Sequence, residues 1–368
     1  MMPPGFTINQ PLALMCLCIT KIMNRSSKIS RRQFIKQSAA SFLGFAATPH
    51  LLKGEAALSE NEEILGRVLF YDVPTFEQPY ENAAQNGTHT FNDVLKMQQP
   101  TKGIPSQNNK NNWFPLENDA FIQSQNVQVV RNILNTPKDF IPNSGKLGEI
   151  TVPLTQAIPA TKQNTKPYQH FFYGSVHWVY GLGENPTTKK IYYLVIEDRW
   201  NESYYVEAAH MRIIEDEELA PISPVVNAES KRILVDTNSQ MLYAYEDQKL
   251  VMACGVSTGV IVNGTNLSTP PGEYFINYKR PTRHMVHSDK IGINDEELYG
   301  VPWVSYFTDT GIAFHGTYWH NDYTQPRSHG CVNMPIPAAK WLYLWSDPII
   351  DPRAKKHTSR YGTTVQVI

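Results

Sequence analysis

The chain has 368 residues, 33 basic against 34 acidic, a net charge of -1 and a hydrophobic fraction of 41%. That length exceeds one ordinary domain and supplies ample apolar side chain for a core, and the lack of a basic excess argues against a nucleic-acid partner. The 26 prolines and 19 tyrosines favour strands and loops, and four cysteines, two of them in the N-terminal tail, are too few for a disulfide scaffold.

Residues 30–36 read Ser-Arg-Arg-Gln-Phe-Ile-Lys, and a small-residue apolar run over 38–47 follows. A basic stretch ahead of a short apolar run marks a removable address, since a membrane span needs ~20 apolar residues. Arg31 and Arg32, with Phe34, Ile35 and Lys36, resemble a twin-arginine export signal. That resemblance implies export to the cell envelope, periplasmic or extracellular, with no stable transmembrane anchor. The alternative is an ordinary amphipathic basic helix. An earlier apolar run, Leu12 to Ile19, is not part of the signal pattern, and Met23 is a natural start. Residues 1–22 are therefore expected to be a gene-start artefact, and residues 1–58 an N-terminal extension and signal.

Residues 59–220 read as a β-rich domain and linker. Gly66–Val73 reads as a strand stopped by Pro74, and residues 98–118, rich in Asn, Gln and Pro, as a long loop. Short β-branched or aromatic runs follow at 128–134, 148–154, 174–180, 191–197 and 204–208, each bounded by Gly, Pro or Asn. The Trp200 hairpin and the segment Tyr205–Ile213 loosely resemble the end of a bacterial SH3-like module. Either an unspecialised β module or a wall-binding role fits that resemblance. Acidic residues 215–218 with Pro221 and Pro224 then read as a linker.

From Lys231 three runs joined by short polar turns, 232–236, 240–245 and 249–257, spell an antiparallel meander. Further strands are expected at 273–278, 301–307, 311–314 and 363–368, and a short helix at 335–345, where Pro opens an apolar stretch. The densest chemistry lies between, in His315-Gly316-Thr317 and Ser328-His329-Gly330-Cys331-Val332-Asn333. A thiol is a poor nucleophile until a base takes its proton, and a histidine beside it can do so. Cys331 follows a glycine and heads toward the expected helix. Unpaired backbone N–H groups there would favour a thiolate and an oxyanion.

These motifs, with the Asp236–Tyr243 hairpin and Ser268-Thr269-Pro270-Pro271-Gly272-Glu273-Tyr274-Phe275, resemble a YkuD-type L,D-transpeptidase over residues 229–368. The resemblance implies a mainly β fold: a β-sandwich catalytic domain, residues 221–368, with a short helix after the catalytic cysteine. It implies Cys331 as nucleophile, His315 as base and the Gly316 carbonyl as the group that orients its ring. The amides of His329, Gly330 and Cys331 would hold the oxyanion, with Thr317, Ser328 and Asn333 supporting the turn.

The reaction implied is acyl transfer through a Cys331 thioester between peptidoglycan stem peptides, as donor and acceptor. Carbapenem-type β-lactams are the expected covalent inhibitors, and no metal or dissociable cofactor is required. An L,D-carboxypeptidase or peptidoglycan amide hydrolase using water, and a non-catalytic wall-binding protein, are the alternatives. His284, Trp319 and His320 are candidate cleft residues, as are the loop 259–268 and the tip 289–299. Cys254 reads as a buried strand residue. A Cys254–Cys331 disulfide and a zinc site of His315, His320, His329 and Cys331 are the competing readings of these side chains.

Overall fold

A computed structural model of the chain describes residues 64–103, 112–160, 169–262, 264–286, 297–354, 359 and 361–368. The twin-arginine stretch, the alternative start at Met23, the polar linker 59–63 and most of the expected tip (289–296) lie outside these residues. Among the described residues no helix is long and apolar enough to cross a membrane.

The first strands are β1 (Ile64–Val68), β2 (Val73–Phe76), β3 (Gln85–His89), β4 (Val94–Met97), β5 (Thr101–Lys102), β6 (Asn112–Pro115), β7 (Phe121–Gln123) and β8 (Val127–Val130). They form two small sheets, ordered β4-β1-β8 and β3-β2-β7-β6-β5. The expected single strand 66–73 is broken in two by a turn in which Asp72 takes φ +53°. Pro74 lies inside β2 instead of ending it. It is tolerated because β2 pairs with β7 only at Phe76, leaving Pro74 without a ladder bond to make on that side. Part of the expected loop 98–118 is also strand. Trp113 and Phe114 on β6 are buried, and Trp113 meets Phe76 edge-on at 5.6 Å.

The next group is β9 (Lys146–Ile150), β10 (Leu154–Pro159), β11 (Gln169–Phe172), β12 (Val176–Glu184), β13 (Ile191–Ile196), β14 (Ser203–Glu207) and β15 (Met211–Ile213). These make one seven-stranded sheet, β11-β10-β14-β13-β12-β9-β15. The stretch read as one β-rich unit thus holds two buried cores, one around Val68, Ile122 and Val127 and one around Phe171, Tyr193 and Val206.

The C-terminal strands are β16 (Lys231–Asp236), β17 (Met241–Glu246), β18 (Lys249–Gly255), β19 (Ile261–Val262), β20 (Thr265–Asn266), β21 (Gly272–Phe275), β22 (Tyr278–Val286), β23 (Glu297–Tyr306), β24 (Ala313–Gly316), β25 (Val332–Met334) and β26 (Thr364–Val367). The single α-helix among the described residues, α1 (Ile336–Trp345), follows β25. One sheet runs β18-β17-β16-β26-β21 and the other β22-β23-β24-β25. β17 alternates, with Leu242 and Ala244 buried and Met241, Tyr243 and Tyr245 turned outward, as a strand with one wet face must.

The shared core joins Ile233, Val235 and Val365 of the first sheet to Trp303, Phe314 and Val332 of the second, with Leu342 and Trp345 of α1. The molecule is therefore mainly β, and its C-terminal part is a sandwich carrying one helix. Each large aliphatic or aromatic side chain buried there contributes about 1.5–3 kcal/mol. Two buried lysines close the end of α1. Lys231 Nζ donates to the Trp345 carbonyl at 2.8 Å and Lys279 Nζ to the Ser346 carbonyl at 2.7 Å. The Nζ donors there satisfy carbonyls that the helix leaves orphaned, although burial lowers the Lys279 ammonium to about 7.

Candidate active site

β24 and β25 run parallel, with Phe314 opposite Val332, His315 opposite Asn333 and Gly316 opposite Met334. Cys331 directly precedes β25. Alternation along a strand puts Cys331 and Asn333 on one face, and cross-strand neighbours share a face, so His315 stands beside them. The short helix expected after Cys331 is present, starting five positions later, but β25 intervenes between the thiol and it. Strand pairing, and not a helix N-terminus, fixes the thiol.

The turn before Cys331 is held from several sides. Gly330 takes φ +117°, a conformation that a side chain would strain. Its N–H donates to Ser328 Oγ at 3.1 Å, and its carbonyl accepts from Thr269 Oγ1 at 2.8 Å. Ser328 Oγ also donates to the Cys331 carbonyl. Ser257 and Asn333 exchange backbone bonds at 2.9–3.0 Å, which anchors β25 to the segment after β18. Thr269 and Ser257 were not singled out from sequence. Thr269 lay within the quoted Ser-Thr-Pro-Pro-Gly segment, and its proximity to Gly330 was the missing information.

His315 is 2% exposed, and its Nδ1–H donates to the Gly316 carbonyl at 3.1 Å. Nε2 is left as the basic nitrogen. Burial pulls the imidazole down to about 4, against the opposing pull of the Gly316 carbonyl. The Cys331 thiol lies 4.0 Å from the Gly311 carbonyl oxygen. Burial pushes it up, and a backbone hydrogen bond from Ala313 partly offsets that. Cys331, Met285, Leu298, Tyr306 and Trp319 each pack against the small cluster of Val301, Val304 and Ala313. The Trp319 ring is also 5.6 Å from that of His315. Thr317 donates its N–H to the Met334 carbonyl at 3.0 Å, and its buried Oγ1 has no partner among the described residues.

Two histidines expected to line the cleft, His284 and His320, are buried. His320 is buried; its Nδ1 accepts from the Asp322 N–H at 3.3 Å, so Nε2 carries the proton. The Asn333 carboxamide faces that nitrogen at 2.7 Å, and its oxygen is the atom able to accept. His320 thus braces Asn333 beneath the site, and both its nitrogens are committed, which removes it as a zinc ligand. His284 is closed in by the β13–β14 turn. Its Nδ1 donates to Glu197 at 2.8 Å, and its ring stacks on Tyr299 at 4.0 Å and meets Trp200 edge-on. Cys254, on β18, packs against the core, where burial raises its thiol to about 12. Cys254 and Cys331 are both free thiols.

Residues 230–367 match the YkuD family, the L,D-transpeptidase catalytic domain. A search of curated proteins gave no match. Solved structures similar to it include an L,D-transpeptidase from Xylanimonas cellulosilytica, at 26% identity over 38% of this chain and 60% of that one, TM-score 0.27. Another, from Enterococcus faecium, is 20% identical over 39% of this chain and 51% of that one, TM-score 0.29. A third, from Mycobacterium smegmatis, is 14% identical over 64% of this chain and 98% of that one, TM-score 0.29. The chain spans about half the length of the first structures it matches, 49% and 51%.

Proposed function

We propose that the protein is an exported cysteine L,D-transpeptidase that acts on peptidoglycan stem peptides through a Cys331 thioester. The observation that carries this reading is the in-register pairing of β24 with β25, which sets His315 beside the Cys331–Asn333 edge while Gly316 fixes its tautomer. With the imidazole pulled to about 4 and the thiol pushed up, the resting pair is neutral. Proton transfer then accompanies attack, which is general-base catalysis.

Cys331 gives its proton to His315 Nε2, and the sulfur bonds to the carbonyl carbon of an amide between an L- and a D-centre. The amides of His329, Gly330 and Cys331 face the developing oxyanion; that of Gly330 exchanges Ser328 Oγ for this new partner. As the C–N bond breaks, His315 returns the proton to the departing amine of the terminal D-residue. An acceptor amine next attacks the thioester, passes a proton to His315, and the thiol leaves reprotonated. The twin-arginine resemblance of residues 30–36 would put this chemistry in the cell envelope, where the substrate is.

The E. faecium catalytic domain has been solved acylated by ertapenem, which makes that compound the natural probe. Incubation with ertapenem and an intact mass measurement should show one covalent adduct, lost in Cys331→Ala. Folded protein without an adduct would sink this reading. Muropeptide product analysis separates transfer to an amine from transfer to water.

A further inference from the structure

Between the seven-stranded sheet and β22 lies a cleft of about 470 Å³, well within the range of ligand sites. Its walls come from three parts of the chain: Trp178 and Tyr180 on β12, Tyr278 on β22, and Arg353 beyond α1. Arg280 and Arg283 of β22 also line it. Their guanidinium groups are pinned by Asp198, a residue only 7% exposed, which accepts from Arg280 Nη2 at 3.1 Å and Arg283 Nη1 at 2.8 Å. The same carboxylate accepts the His284 N–H at 2.8 Å.

Three guanidinium groups and the carboxylates of Asp198 and Glu197 line it, and Arg353 is paired besides with Asp216 at 3.1 Å and Asp351 at 4.0 Å. Glu197 is turned away into the hairpin, bonded to the N–H groups of Arg199, Trp200 and Glu202 and to His284. Arg283 and Arg353 are 30% and 34% exposed and retain donors beyond their ion pairs with Asp198, Asp216 and Asp351. Held guanidinium forks are suited to carboxylates, and the aromatic walls are suited to the apolar faces of sugars.

From the cleft, Tyr278 stacks on Tyr306 at 5.4 Å, and Tyr306 and Cys331 both pack against the cluster of Val301, Val304 and Ala313. We propose that this cleft binds the carboxylates of the acceptor stem peptide and so presents its amine to the acyl group on Cys331. The proposal rests on the acyl-transfer reading above and adds to it a second, separate substrate site built partly from the middle sheet.

The test is a titration in a full-length Cys331→Ala background, which removes turnover. The probes are a disaccharide-tetrapeptide with free carboxylates and the same compound with those carboxylates amidated. The acid form should bind about tenfold tighter, the usual scale of a charge-assisted hydrogen bond. Adding Arg283→Gln and Arg353→Gln together should make the two probes bind alike. Arg353→Gln alone, which breaks only surface ion pairs, should cut the preference about threefold, so the result does not hang on the fold of the double variant. No preference in the parent, or a preference that survives both substitutions, overturns the proposal. The ertapenem adduct plays no part in this measurement, so loss of the acyl-transfer reading and loss of this site are told apart.

Discussion

Arg67 on β1 donates from Nη2 to the carbonyl oxygen of Tyr318, three residues beyond His315. The same guanidinium donates to Asn92 and Gln128 and lies 4.3 Å from the centre of the Phe172 ring, which stacks on Tyr318. It is 1% exposed, and burial draws it down to about 10. Oxygens and an aromatic face, with no carboxylate among its bonds, hold this buried cation at the junction of the first sheets, β11 and the loop carrying Trp319.

Arg67→Met should therefore lower stability by about 2–3 kcal/mol, the scale of a buried hydrogen bond to a charged group, read as a fall in the urea midpoint. It should also slow ertapenem acylation, because Tyr318 adjoins Trp319, whose ring stands 5.6 Å from that of His315. Arg67→Lys keeps the charge but loses the fork, and should fall between the two. Wild-type values for Arg67→Met would mean that the docking is carried by other contacts, such as Asn321 on the Ser124 and Val127 carbonyls.

His315→Ala should slow acylation of Cys331 by roughly 10²–10⁴-fold, since it removes the proton acceptor. The measurement is the rate of adduct formation under excess ertapenem. His320→Ala separates the roles. It should cost stability through Asn333, about 1–2 kcal/mol, with a smaller effect on rate. The reverse ordering would mean that the base has been misassigned.

The legible parts of this chain were those whose determinants are local. The β16–β18 meander is written in period-two alternation and short polar turns, and the site in two contiguous motifs. β25 was not legible: its three residues gain their bonds from β24, 18 positions upstream by the register of Phe314 with Val332. β22 has no apolar alternation to mark it, because Lys279, Arg280 and Arg283 sit within it and find their partners in Asp198 and the end of α1. His284 and His320 read as candidate cleft residues, the first from the likeness of its segment and the second from its place in the loop after His315. Their burial depends on Glu197 and Asn333, partners that no spacing announces.

Glu197 supplies a test of the join between the seven-stranded sheet and β22. Burial alone would raise its carboxyl, but the bond from His284 and those from the amides of Arg199, Glu202 and Trp200 hold it below the usual carboxylate range. A depressed carboxylate stabilises the fold above its unfolded value and loses that contribution as pH falls through the folded one. Glu197→Gln should remove this acid dependence and cost about 2 kcal/mol at neutral pH, because neutral bonds replace charge-assisted ones. Thermal melting at pH 7 and pH 4 measures both effects. A variant whose loss is equal at the two values would refute the charged assignment.

Two buried histidines set a second acid limit. Burial lowers His315 to about 4 and His177 to about 3, with His284 adding to the depression of His177. Unfolded, each has the ordinary value of 6.5. Between those values the unfolded chain binds protons that the folded chain does not, so stability must rise with pH. The contribution is complete above about 6.5 and is lost on acidification, down to about 4 for His315 and about 3 for His177. His177 stacks on Phe171 at 3.9 Å and bonds Ser175 Oγ at 2.8 Å, remote from Cys331 in the sequence and in its contacts. His177→Leu should therefore flatten the decline in melting temperature between pH 6.5 and 4 by about one proton's worth of slope. A slope that stays at its wild-type value in that variant would show that His177 is not neutral in the folded protein.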